Sequence, residues 1–120
     1  MPLYGKIKNG RLVVTVRPHK FGAIRVEVDG HRFDSLLEAR RYNELKLMAK
    51  ARMITDLKLQ PAYDIDIAGF HVCQYRADFS YRDHAGSLHV EDTKGASTAV
   101  FALKRKLVEA CWGIKIEIIR

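Results

Sequence analysis

Apolar and polar residues alternate at the start of the chain. Lys6-Ile7-Lys8 and Arg11–Val16 flank Asn9-Gly10, and Ile24–Val28 and His31-Arg32-Phe33 flank Asp29-Gly30. Period-two alternation marks strands, and Asn-Gly and Asp-Gly suit type I′ turns, whose central residues need positive φ. Two β-hairpins are therefore predicted over residues 1–34, with Arg17-Pro18-His19-Lys20-Phe21-Gly22 as a basic loop between them. The pattern then lengthens. Glu38, Tyr42, Leu45 and Ala49 recur at helical spacing, which predicts a helix from about Ser35 to Met53. Ser35 is a suitable N-cap, with Glu38 at the capping-box position.

Alternation returns after the helix. Leu57–Gln60 predicts a short strand stopped by Pro61, and Tyr63–Ile67 another, turned at Ala68-Gly69. Two longer strands are predicted over 71–81 and 87–94; in the first, Tyr75, Ala77, Phe79 and Tyr81 alternate with Arg76, Asp78 and Ser80. A second helix is predicted from about Ser97 to Trp112, stopped by Gly113. Its inner stripe would be Val100, Leu103, Leu107 and Cys111, with Lys104-Arg105-Lys106 mostly outward. Ile114–Ile119 predicts a last strand. This order of elements implies an α+β (or α/β) fold with one mixed β-sheet flanked by helices and N-terminal β-hairpins.

Length adds a bound: 120 residues fit one domain. No apolar run approaches the ~20 residues needed to span a bilayer. Met1–Lys6 carries no apolar signal core, so a cytoplasmic protein without membrane contact is expected. Cys73 and Cys111 stand in no metal spacing and read as reduced thiols. The net charge of +7 favours a polyanionic partner through counterion release.

The candidate chemistry lies on the two long strands. Asp78 falls within Tyr75-Arg76-Ala77-Asp78-Phe79, and Val90-Glu91-Asp92-Thr93-Lys94-Gly95 ends the next strand. Residues two apart on a strand share a face, so Asp92 and Lys94 point the same way. Two carboxylates suit a hard cation such as Mg²⁺, and an ammonium beside them can orient a water and offset charge on a phosphate. One strand register sets Asp78 opposite Asp92. The alternative sets it opposite Glu91, which would point away from Lys94 unless a bulge intervened. The simpler alternation favours Asp92, with Glu91 kept as the alternative ligand.

Other residues carry competing roles. Glu38 is either the partner of Ser35 in the cap or a further metal ligand projecting from the helix. Arg17, Lys20, Arg40, Arg41, Lys104, Arg105 and Lys106 are candidates for nucleic-acid contact, or simply solvated charge. The five histidines show no ligand spacing and are expected at surface or loop positions.

Asp78, then Asp92-Thr93-Lys94, with the upstream Glu38, resembles the PD-(D/E)xK nuclease superfamily. A closer similarity is to small nuclease-like proteins found mostly in phages and prophages. It is carried by Val28-Asp29-Gly30, Phe33–Tyr42, Asp56–Pro61, Tyr75–Phe79, Val90–Gly95 and Leu103–Leu107. The likeness covers roughly residues 24–119, and alanine rather than proline precedes the first acid. It implies a restriction-endonuclease-like core over 24–120, with 1–23 as a basic hairpin extension for DNA contact or dimerisation. It further implies Asp78 and Asp92 as metal ligands, Lys94 as catalytic and Glu38 as the helix-borne acid. Mg²⁺, or Mn²⁺, would be the cofactor and DNA the substrate. Such nucleases include phage four-way junction resolvases and transposon end-cleaving subunits; a resolvase would fit a two-fold homodimer. The contrasting expectation is a non-catalytic or partner-dependent DNA-binding module on a nuclease scaffold.

Overall fold

The computed structural model describes residues 3–8, 11–16, 25–93 and 98–120, with side chains from residue 25 onward. The chain forms two compact units, Met1–Glu44 and Leu45–Arg120. Two helices and mixed sheets make an α+β fold.

In the first unit, β1 (Leu3–Lys8) and β2 (Arg11–Val16) form an antiparallel pair. The expected Asn9-Gly10 turn and the basic loop lie outside the described residues. β3 (Arg25–Val28) lies parallel to β1 and antiparallel to β4 (His31–Phe33), so both hairpins join one four-stranded sheet, β2-β1-β3-β4. Asp29 (φ 52°) and Gly30 (φ 80°) both take positive φ, as a type I′ turn demands. The helix α1 runs over Leu36–Lys50, beginning in the first unit and ending in the second, and is shorter than its good helix formers predict. It ends because Arg52 turns left-handed (φ 61°) and the amides of Arg52 and Met53 bond back to Ala49 and Met48. That is a Schellman termination without glycine. Glu38, Tyr42 and Leu45 are buried along the expected stripe, and Tyr42 packs on Phe33 with ring centroids 5.1 Å apart.

In the second unit, β5 (Thr55–Leu59), β8 (Phe79–Arg82), β9 (Leu88–Thr93) and β10 (Ile116–Ile119) form the sheet β10-β9-β8-β5. A separate pair joins β6 (Ala62–Ile67) to β7 (Phe70–Arg76). The described residues thus hold three sheets, not one. The expected strand over 71–81 is broken at Ala77-Asp78. Its partner supplies the reason: Gln60 takes φ 51° and Pro61 has no N–H, so the ladder cannot run on unbent. Ala77 N–H still reaches the Pro61 carbonyl (3.0 Å) and Gln60 N–H the Asp78 carbonyl (2.8 Å), so the chain bends rather than separates.

Helix α2 (Ala99–Trp112) carries the chain from β9 to the parallel strand β10. Thr98 caps it, its hydroxyl accepting from Phe101 N–H at 3.1 Å, and Gly113 (φ 65°) ends it as expected. Its face is not the expected one. Val100 and Leu103 are 65% and 59% exposed, whereas Val108 is fully buried. The inward stripe is Phe101, Lys104, Arg105 and Val108, with Leu107 of the expected stripe also packed against the core and Trp112 half-exposed at the end of the helix. Phe101 packs on Tyr75 and Val108 sits in the core, while Trp112 Nε1 donates to the Asp64 carbonyl at 2.8 Å. Two basic residues inside that stripe hide its period in the sequence. The core comprises Ile65, Tyr75, Ala77, Val90, Val108 and Ile116.

Candidate acidic site at the end of strand β9

Strand β9 positions the site. Val90 and Asp92 face the core beneath α2; Glu91 faces the other side with Phe79, its partner on β8. Asp92 is 1% exposed. A carboxylate on an apolar face is costly unless bonded, and the Tyr75 hydroxyl donates to Asp92 Oδ2 at 2.5 Å. Burial and the neighbouring Asp92 push the Tyr75 phenol far above its usual range, so it stays protonated and serves as a donor.

The β8–β9 register follows the pairing that predicts Asp78 opposite Asp92, but only as far as Phe79↔Glu91. There the ladder departs. Asp78 N–H also turns to the Glu91 carbonyl, at 3.0 Å, so two successive residues address one on β9. This is the arrangement of a β-bulge. It reverses the facing of the bent strand: Tyr75 and Ala77 enter the core beneath α2, whereas Phe79 and Tyr81 lie with Glu91 and His89. The Asp78 side chain reaches along β9 instead, and its Oδ2 accepts from Thr93 N–H (2.6 Å) and Thr93 Oγ1 (2.7 Å). Asp78 therefore lies against the Asp92–Thr93 peptide.

Glu91 is also buried, with its carboxylate accepting from the Tyr81 hydroxyl on the face away from Asp92. Lys94 lies outside the described residues, as do Arg17 and Lys20. Glu38 belongs to the first unit, where it completes a cap. Its N–H donates to Ser35 Oγ (3.1 Å), and its Oε2 accepts from Asp34 N–H (3.3 Å), one residue before the expected Ser35 amide. Of the basic candidates, Arg40 and Lys106 are exposed. Arg41 pairs with Glu44 at 2.8 Å, and Lys104 Nζ reaches the Gln74 carbonyl at 3.5 Å. Arg105 is half-buried with its Nε shielded from solvent, contrary to the expected outward face.

Among the described residues no three His, Cys, Asp or Glu side chains gather as a metal cage. Mg²⁺ does not require one, since it keeps several waters and takes one or two carboxylates. The all-oxygen donors of Asp78 and Asp92 fit that demand. The bonds to Thr93 and Tyr75 use one oxygen, Oδ2, of each.

Two features were missed by sequence reasoning. Tyr75 showed only as one apolar beat in an alternating run. His89, expected at the surface or in a loop, is half-buried in β9, stacked on Tyr81 (5.1 Å, 6° between planes). Its Nε2 meets Asp83 Oδ2 at 2.7 Å and its Nδ1 meets Glu117 Oε1 at 3.1 Å. Serving two carboxylates needs both ring N–H groups, hence the imidazolium. The Asp83 hydrogen bond raises the His89 pKa above the ordinary 6.5, burial opposes it, and Glu117 adds to the rise. A raised histidine pKa contributes stability that is complete below the unfolded value and is lost as pH rises through the folded one. The melting temperature of the wild type is therefore expected to fall between pH 6 and pH 9 more than that of His89→Gln; parallel profiles in a thermal-shift series would refute this.

The geometry defines an α+β protein with two aspartates brought to one strand end. Residues 18–116 match the family described as protein of unknown function (DUF1064), and the chain belongs to that family. No curated protein and no solved structure matches the chain. Among the described residues, no helix is long and apolar enough to cross a membrane, and Cys73 and Cys111 are free thiols.

Proposed function

We propose that this protein is a Mg²⁺-dependent DNA endonuclease acting in phage recombination, repair or DNA processing, in the bacterial cytoplasm. The observation that carries the reading is that Asp78, bonded to the Thr93 amide, is brought against the strand residue next to Asp92, whose carboxylate the Tyr75 hydroxyl holds, one residue before Lys94 in sequence. The resemblance of Asp78…Asp92-Thr93-Lys94 to PD-(D/E)xK nucleases and the net charge of +7 support it.

Asp78 and Asp92 would hold the cation, with Mn²⁺ as a substitute. When bound, the ion supplies Lewis-acid stabilisation of charge on the scissile phosphate. Lys94 would orient the attacking water and offset charge on the phosphate oxygens. Lys106, exposed on the unit that carries Asp78 and Asp92, would contact the DNA backbone there, and Arg40 would do so on the first unit, the salt-dependent part of binding. A four-way junction is the first substrate to test, and a two-fold homodimer would deliver paired cuts.

One observation favours a second reading. Each aspartate already has an oxygen engaged by a protein donor, as in a scaffold that binds DNA without cutting it, or one that waits for a partner. Incubating the protein with supercoiled plasmid and four-way junction DNA separates the two. Nicking in Mg²⁺ or Mn²⁺ that stops in EDTA is expected. DNA binding with no cutting in either metal would select the non-catalytic reading.

A further inference from the structure

We propose that Tyr75 is a positioning residue whose buried hydroxyl fixes the orientation of the Asp92 carboxylate and so sets which oxygen is presented to a divalent cation. The cation rests on the nuclease reading; the orientation does not.

The phenol ring cannot swing away. Tyr75 is 3% exposed and packs in the core with Val90 and Val108, with Phe101 at 6.3 Å between ring centroids. Its hydroxyl meets Asp92 Oδ2 at 2.5 Å, where the carboxylate is itself shut from solvent. A purely structural role is a poor account of the pair. Replacing both groups by apolar side chains of the same shape is often nearly neutral, so stability alone does not call for a hydroxyl–carboxylate pair here. A buried donor that holds one carboxylate oxygen is how outer-shell residues orient metal ligands.

The test is Tyr75→Phe, which removes the hydroxyl and keeps the ring. Mn²⁺ binding is followed by calorimetry, and the Asp92 side-chain rotamer in metal-free protein by three-bond NMR couplings. Mn²⁺ affinity is expected to fall about 10–100-fold, and Asp92 to average over rotamers where the wild type holds one. Asp92→Asn combined with Tyr75→Phe should bind Mn²⁺ no more weakly than Asp92→Asn alone. Val108→Ala, which loosens the same core without touching the carboxylate, should keep wild-type affinity. The proposal is overturned if Tyr75→Phe retains one Asp92 rotamer, or wild-type Mn²⁺ affinity where the wild type binds, or if Val108→Ala loses as much affinity. Should the wild type take up no Mn²⁺ at all, the nuclease reading fails. The rotamer then decides alone: averaging in Tyr75→Phe upholds the role of Tyr75, and a single rotamer refutes it.

Discussion

Asp92→Asn is expected to lower Mg²⁺-dependent DNA cutting by more than about 100-fold while leaving the melting temperature unchanged or raised. The lower bound follows from outer-shell partners, which alone are worth about 10–100-fold; a direct ligand should exceed them. Stability should move the other way. Asp92 is 1% exposed on an apolar face, a costly place for charge. Asparagine keeps the shape and an oxygen for the Tyr75 hydroxyl, yet removes the charge. A side chain retained for structure would behave oppositely, losing stability and sparing activity. Asp78→Asn should match Asp92→Asn in activity. Plasmid nicking alongside a thermal melt reads both quantities, and an active Asp92→Asn enzyme would remove Asp92 from the metal site.

Phe79→Ala is expected to destabilise the protein by about 3–5 kcal/mol, the usual cost of emptying a buried aromatic site. Phe79 is fully buried and pairs with Glu91 directly after the bulge at Asp78. Whole domains are stable by only about 5–15 kcal/mol, so the variant should sit near the edge of folding. Phe70→Ala is the control: at 75% exposure it should change stability by about 0.5 kcal/mol or less. Urea denaturation measures both. Equal midpoints for the two variants would mean that the ring of Phe79 does not hold the β8–β9 corner.

Local chemistry made several elements legible. Asp29-Gly30 specified a turn because its two central residues must take positive φ, and Gly113 a helix stop for the same reason. Ser35 and Glu38 announced the start of α1. Each reading spans a few residues, the range over which steric and hydrogen-bonding preferences act.

Other features depended on residues far apart in the chain. The run 71–81 looked unbroken because the bend originates in Gln60-Pro61 on the neighbouring strand. The bulge at Asp78 reversed the facing of Tyr81 relative to Tyr75, which no alternation count can register. Helix α2 holds Arg105 half-buried with its Nε shielded from solvent, and a basic residue on an inward face leaves no hydrophobic period to read. Residue order alone was enough to place Asp92 on a strand. Folding in three dimensions chose their partners, since hydrogen bonds between strands are satisfied across space rather than along the chain.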